Sequence, residues 1–189
     1  MRSYSLRRMQ DIEPYFKWRD FYIAEEDSLS PFYNREYNEF AYDKHVYNYF
    51  IHPQWDDIGS ETLYVKILFV DYEKQYCIIE CIGEWNDAIT NDMMLLKHEV
   101  LEPLIDEGIT KIILLGENVL IFHGGGDDYY AELAEETESG FVAFVNFPDH
   151  VVAEFKMGQI HHYVFFYDQI DWRNRRPIQV LKEIEEKLF

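Results

Sequence analysis

An α/β fold is predicted here, a mixed sheet in which an antiparallel hairpin is followed by parallel βαβ units. Three observations predict it. Residues 62–72 and 75–83 are two runs rich in β-branched and aromatic residues, joined tightly through Glu73 and Lys74. Ile89, Met93, Leu96, Val100 and Leu104 then step by four, three, four and four, which lays an apolar stripe along a helix. From residue 112 onward, strand and helix patterns alternate, the rhythm of parallel strands with right-handed crossovers.

Residues 1–61 read as an N-terminal extension packed on the main domain. Fifteen Phe, Trp and Tyr residues precede Glu61, among them Tyr15, Trp18, Phe21, Phe40 and Trp55. Rings at this density predict a cover over one sheet face or a subunit interface. Residues 21–24 and 46–52 read as short strands, the second closed by Pro53. Residues 32–42 fit a strand or a helix equally, and 56–60 read as a loop.

The main domain spans residues 62–189. Its first helix is expected to start at a cap on Asn86 or Thr90 and to stop at Gly108, with Pro103 kinking its last turn. Residues 112–115 are wholly apolar, as in a strand covered on both faces. A loop over 116–128 leads to a helix near 128–138, and 141–147 is the next strand. Pro148 opens a helix over 149–157. Residues 160–167 read as a strand and 177–188 as the closing helix.

The formal charge is −19, with 7 Lys and Arg against 11 Asp and Glu before Glu61, and 10 against 25 from there on. Phosphate binding depends on neutralisation by Lys and Arg, so nucleic acid and anionic membrane surfaces are not expected as partners. Arg173, Arg175 and Arg176 are expected to precede the last helix and to pair with carboxylates. No run of 18 apolar residues occurs, so no membrane-spanning helix is expected. Residues 1–10 carry Arg2, Arg7 and Arg8 without an apolar stretch behind them, and do not read as a secretory leader. Cys77 and Cys81 share one face of one strand at roughly 13 Å, about 3.3 Å per residue, beyond disulfide reach. Two reduced, buried thiols predict a cytoplasmic protein.

The order strand, Gly83-Glu84-Trp85-Asn86-Asp87, helix, strand at 112–115, loop, helix, strand, helix, strand, helix resembles the STAS domain. That is the fold of bacterial anti-sigma-factor antagonists and of the cytoplasmic tails of sulfate transporters. A strand in that family often ends in a Gly-Glu-Leu-Asp-like turn, which Gly83, Glu84 and Asp87 echo. The resemblance covers about 62–189. It implies a protein-binding module whose switch is a phosphorylated Ser or Thr in the loop before the second helix, inside an Asp-Ser-Ser-Gly motif. Residues 116–128 contain no Ser or Thr, so the resemblance implies the fold and a protein partner without that switch.

The candidate partner-binding residues are Glu117, Asn118, His123, Gly124, Gly125, Gly126, Asp127 and Asp128. Three glycines are costly to order, so the loop is expected to be exposed and mobile. Asp127 and Asp128 are expected at the cap and first turn of the next helix, where they supply the charge a phosphoryl group carries elsewhere. A phosphate ligand does not fit, because no Lys or Arg is near and neither GxxxxGK[ST] nor GxGxxG occurs. A metal site would combine His123, Asp127 and Asp128 with His161 and His162. Adjacent strand residues point to opposite faces, however, and the spacing matches no zinc pattern.

Glu80, Glu84 and Asp87 invite paired-carboxylate chemistry, but Glu80 alternates with the apolar Ile79 and Cys81, so a solvated face is the expected reading. Cys77 and Cys81 read as core. The expected function is a non-enzymatic STAS-like interaction or self-association module without cofactor or metal. It would bind a protein partner and form a homodimer to which the extension contributes. Two alternatives stay open at this point: a binder of a small apolar ligand between extension and sheet, and a metal-dependent hydrolase.

Overall fold

The hairpin predicted from residues 62–83 stands in the middle of a six-stranded sheet. The structure is a computed structural model that describes residues 8–9 and 12–188. The reading of residues 1–10 therefore lies outside the described residues, apart from the backbone of Arg8–Met9. The large sheet contains β4 (Asp56–Asp57), β5 (Leu63–Asp71), β6 (Tyr76–Asn86), β7 (Lys111–His123), β8 (Phe141–Val145) and β9 (Phe165–Tyr167), in that spatial order. β4, β5 and β6 pair antiparallel, and β6, β7, β8 and β9 pair parallel. The predicted mixed sheet is thus the one the chain adopts. A small second sheet joins β1 (Arg8–Met9), β3 (Tyr49–Phe50) and β2 (His45–Val46).

One face of the large sheet carries Val65, Ile79, Cys81, Trp85, Leu114 and Phe144. It packs on α1 (Asp92–Leu96), α2 (Glu102–Asp106), α3 (Asp128–Glu136) and α4 (Asp149–Met157) through Leu96, Leu104, Leu133 and Phe155. The other face carries Tyr76, Ile78, Leu115 and Val145. It packs on Trp18, Trp172 and the Val180, Leu181 and Ile184 stripe of α5 (Pro177–Leu188). Val46, Ile51 and Trp55 of the extension close over Tyr64 and Ile82 farther along. Cys77 and Cys81 are free and buried in β6, and burial pushes the Cys77 thiol up to about 12. Among the described residues no helix is long and apolar enough to cross a membrane.

Several local expectations are corrected. Residues 21–24 form turns rather than a strand, and Tyr22 N–H bonds back to Trp18 C=O at 3.1 Å. Residues 32–42 are turns and irregular chain, neither strand nor helix. The strand expected over 46–52 is a tight hairpin, because Tyr47 takes a left-handed backbone with φ 55° between β2 and β3. Asp56 and Asp57 are not a loop but a two-residue edge strand on Tyr64 and Val65.

The first helix begins at Asp92, after Asn91 with φ 53°, so Ile89 leaves the apolar stripe and is 84% exposed. Neither Asn86 nor Thr90 is its cap. Instead, the Asp87 carboxylate accepts Met93 N–H at 2.8 Å. Pro103 has no N–H to donate, and the chain absorbs the missing bond in a π-helical turn, Lys97–Leu101, which joins α1 to α2. The strand expected over 160–167 splits, because Gln159 with φ 62° starts a 3-10 turn, Ile160–His162, before β9.

Candidate functional site

β6 and β7 run on together beyond the rest of the sheet. β8 ends opposite Leu115, while β7 continues from Gly116 to His123 against residues 82–86 of β6. The loop expected over 116–128 is therefore mostly strand, and only Gly124, Gly125, Gly126 and Asp127 separate β7 from α3. Gly116 does not break the strand. It makes room for the Phe147 ring, which would lie 2.3 Å from an added Cβ. The free edge of this arm is satisfied from α4. Glu154 Oε2 accepts Phe122 N–H at 3.1 Å, and His150 Nε2 lies 2.7 Å from the Leu120 carbonyl oxygen.

The glycine loop rests on the turn that ends β6. That turn begins at Asp87, since the Gly83-to-Asn86 part of the family-like motif stays in the strand. Asp87 and Ala88 donate their N–H groups to His123 C=O at 2.9 and 3.3 Å, and a Cβ on Gly125 would lie 2.6 Å from Asp87 O. Gly124, Gly125, Gly126 and Asp128 are exposed, as predicted for the loop, and Asp127 is half-buried. Asp127 occupies the cap position of α3 without capping it, because its carboxylate accepts the Tyr163 hydroxyl at 2.8 Å instead.

Beneath the loop, Asp87 overturns the expectation of a solvated carboxylate. It is 8% exposed and accepts from Trp85 Nε1–H, Met93 N–H and the Tyr130 hydroxyl at 3.0, 2.8 and 2.6 Å. Burial pushes its carboxyl up to about 6, against the opposing pull of those three donors.

Glu80 is corrected in the same sense, being 2% exposed. It belongs to a polar row that crosses the sheet under the extension and the segment before α5. Lys66 and Glu80 are cross-strand partners on β5 and β6. Lys66 Nζ donates to Glu25 and to the Tyr37 hydroxyl, and forms an ion pair with Asp56 Oδ2 at 3.2 Å. Glu80 accepts Tyr15 N–H at 2.9 Å and faces Arg173 at 3.3 Å. Burial pushes Glu80 up to about 7, held back by Tyr15 and Arg173 and reinforced by Glu117.

Glu117, on β7, accepts from Trp172 Nε1–H at 2.8 Å and Asn146 Nδ2–H at 3.0 Å, and it pairs with Arg173. Arg175 pairs with Glu183 of α5, so Arg173 and Arg175 do meet carboxylates before the last helix, as expected.

Glu117 is thus committed to the fold and lies apart from the glycine loop. Asn118 lines a cavity of about 80 Å³ with Val46, Tyr47, Tyr49, Ile51 and Ile82, well below the roughly 300 Å³ at which ligand pockets begin. His123 pairs with Glu84 at 3.0 Å. His161 and His162 do not point to opposite strand faces, because they sit in the 3-10 turn with ring centroids 4.1 Å apart. Among the described residues no three His, Cys, Asp or Glu side chains converge as metal ligands do. Sequence reasoning missed Ile89, Tyr130 and Asn146. For Glu80 the signal was present, as a lone carboxylate inside the otherwise apolar run Tyr76 to Ile82.

Neither a family model nor a curated protein matches the chain. Among solved structures it is similar to a candidate anti-sigma factor antagonist from Thermotoga maritima, at 20% identity and a TM-score of 0.44, over 64% of this chain and 92% of that one. It is also similar to the anti-sigma factor antagonist SpoIIAA in its unphosphorylated form, at 13% identity and a TM-score of 0.46, over 65% and 96%. By its own strand order and pairing, an antiparallel hairpin continued by parallel βαβ units, the chain has the STAS-like α/β fold.

Proposed function

We propose that the chain is a non-enzymatic STAS-like module that binds a basic-faced protein on the rim formed by the glycine loop and the Asp87 turn. The observation that carries this reading is an exposed acidic and apolar rim on a rigid base. Ile89, two residues beyond Asp87, is 84% exposed, and Gly125 of the exposed loop lies against the same turn. The bonds to Asp87 fix the base, which limits the ordering cost of docking. The free thiols of Cys77 and Cys81 support a cytoplasmic setting.

The test is capture from cell extract with wild type, with a variant combining Asp127→Asn and Asp128→Asn, and with Ile89→Ser. Partners retained by wild type are expected to be lost from both variants, with thermal midpoints nearly unchanged. Equal capture by all three makes the rim structural and ends this reading. Self-association belongs to the same reading, since Phe16, Phe21, Tyr33 and Phe40 stay exposed on the extension. Light scattering at high micromolar concentration and moderate salt is expected to show a dimer.

A further inference from the structure

β9 is the last strand of the large sheet, and β8 occupies only one of its two edges. Asn146 N–H donates to Tyr167 C=O at 2.7 Å, which turns the backbone polar groups of Tyr167 toward β8. Alternation along the strand turns those of Phe165 the same way and sends the N–H and C=O of Phe166 to the outer edge. Among the described residues no strand lies beyond that edge.

The Phe166 ring is anchored inward, with centroids 5.4 Å from Phe144 and 5.7 Å from Phe155, so the outer edge is held in place. Phe165 shares a strand side with Tyr167 and is 47% exposed.

We infer that a second copy of this chain docks antiparallel on the outer edge of β9, about a twofold axis through Phe166. The two Phe166 residues then exchange N–H···O=C bonds, and each Phe165 ring lies across from the Tyr167 ring of the other copy. The inference rests on the self-association part of the reading above, and places the contact on the sheet edge rather than on the extension.

Three things favour a second copy as the occupant. A strand edge is self-complementary under a twofold axis, as an isologous interface requires. Two chains of charge −19 repel each other, and 155–167 is the longest stretch of this sequence without Asp or Glu. That stretch carries Lys156, His161 and His162 instead, so two copies meet there with fewer like charges than elsewhere, Asp168 being the first carboxylate after it. Three residues make a short edge, which fits a dimer that comes and goes with concentration.

The test uses the full chain at low to high micromolar concentration, by sedimentation or light scattering, as wild type, Phe165→Lys and Phe40→Ser. Hydrogen exchange of the Phe166 amide is followed by NMR across the same range. Wild type is expected to dimerise, Phe165→Lys to associate about tenfold more weakly, and Phe40→Ser to match wild type. Phe166 N–H is expected to gain protection as concentration rises.

Unchanged dimerisation in Phe165→Lys, with Phe166 exchange independent of concentration, overturns the inference and leaves self-association to the extension. A monomeric wild type removes both. Should a melt show Phe165→Lys unfolded, the exchange of Phe166 in wild type decides alone.

Discussion

Helices close most of one face of the central sheet, with Ala24, Phe32 and Ile58 at its margin, whereas the opposite face is closed partly by α5 and partly by mostly irregular chain from residues 12–60 and 168–176. The helical side is a layer of interlocked rings. Trp85 lies 5.6 Å from both Phe144 and Phe155, and Phe144 stacks on Phe147 at 5.1 Å. Its buried polar groups sit at helix ends, as with Asp87, or in the π-helical turn, as with Lys97.

The other side carries the polar row. A helix satisfies its own backbone internally and irregular chain does not. The sheet therefore presents Glu80 to Tyr15 N–H and Asn146 to both the N–H and the C=O of Ile170. The difference teaches that these buried polar side chains answer to what covers them.

The comparison breaks most visibly at Trp85, which is fully buried on the helical side. Trp85→Ala is expected to cost about 4 kcal/mol in denaturant unfolding, through lost burial and the cavity left behind. A loss below about 1 kcal/mol would mean that this layer is not closely packed.

On the polar side, Glu117→Ala strands the donors of Trp172, Asn146 and Arg173 at once. A cost of about 2 kcal/mol is expected, with faster proteolysis near residues 168–176, while Glu117→Gln keeps an acceptor and loses less.

A pH titration sharpens the contrast. Burial lifts Glu80 from its ordinary 4.5 to about 7, so the folded state binds this proton more tightly than the unfolded state does. The stability it contributes is full below about 4.5 and is lost as pH rises to about 7. Glu80→Gln keeps an acceptor for Tyr15 N–H and carries no charge. It is expected to gain about 2 kcal/mol on wild type between about pH 5 and about pH 8. Parallel curves for the two proteins would show that Glu80 keeps its unfolded-state pKa in the fold.

The smallest effect is expected at the rim. Gly125→Ala drives a methyl group to 2.6 Å from Asp87 O, so the loop must shift, at about 1 kcal/mol. A crystal structure with the loop unmoved would contradict that close approach.

Legibility follows the same division. Elements whose faces meet a regular layer declare themselves by period. The 62–83 hairpin, the Pro148 start of α4 and all of α5 were readable for that reason. The far half of β7 was not, because Gly116, Glu117 and Asn118 look like a loop until Phe147 and Trp172 are seen to need them. Glu80 obeys strict alternation, and alternation alone cannot tell water from an overlying peptide N–H. In the extension, left-handed Asn34 and Tyr47 interrupt the runs 32–42 and 46–52, and neither residue type announces that geometry firmly. At the candidate site the exposed glycines were legible. The Asp87 base was not, since its donors come from β6, α1 and α3.

The cover over the polar row is tied to the far end of the chain. The Tyr15 hydroxyl donates to Arg173 C=O, and Trp18 Nε1–H donates to Arg175 C=O at 2.9 Å, spans of 158 and 157 residues. During synthesis, the segment that holds Tyr15 and Trp18 leaves the ribosome long before its anchors exist. The rest of the sheet can assemble strand by strand as it emerges, but this layer closes only after Arg175 is out. Until then the rings of Tyr15 and Trp18 stay in water or in the hands of a chaperone. A nascent chain halted before residue 172 would carry them uncovered.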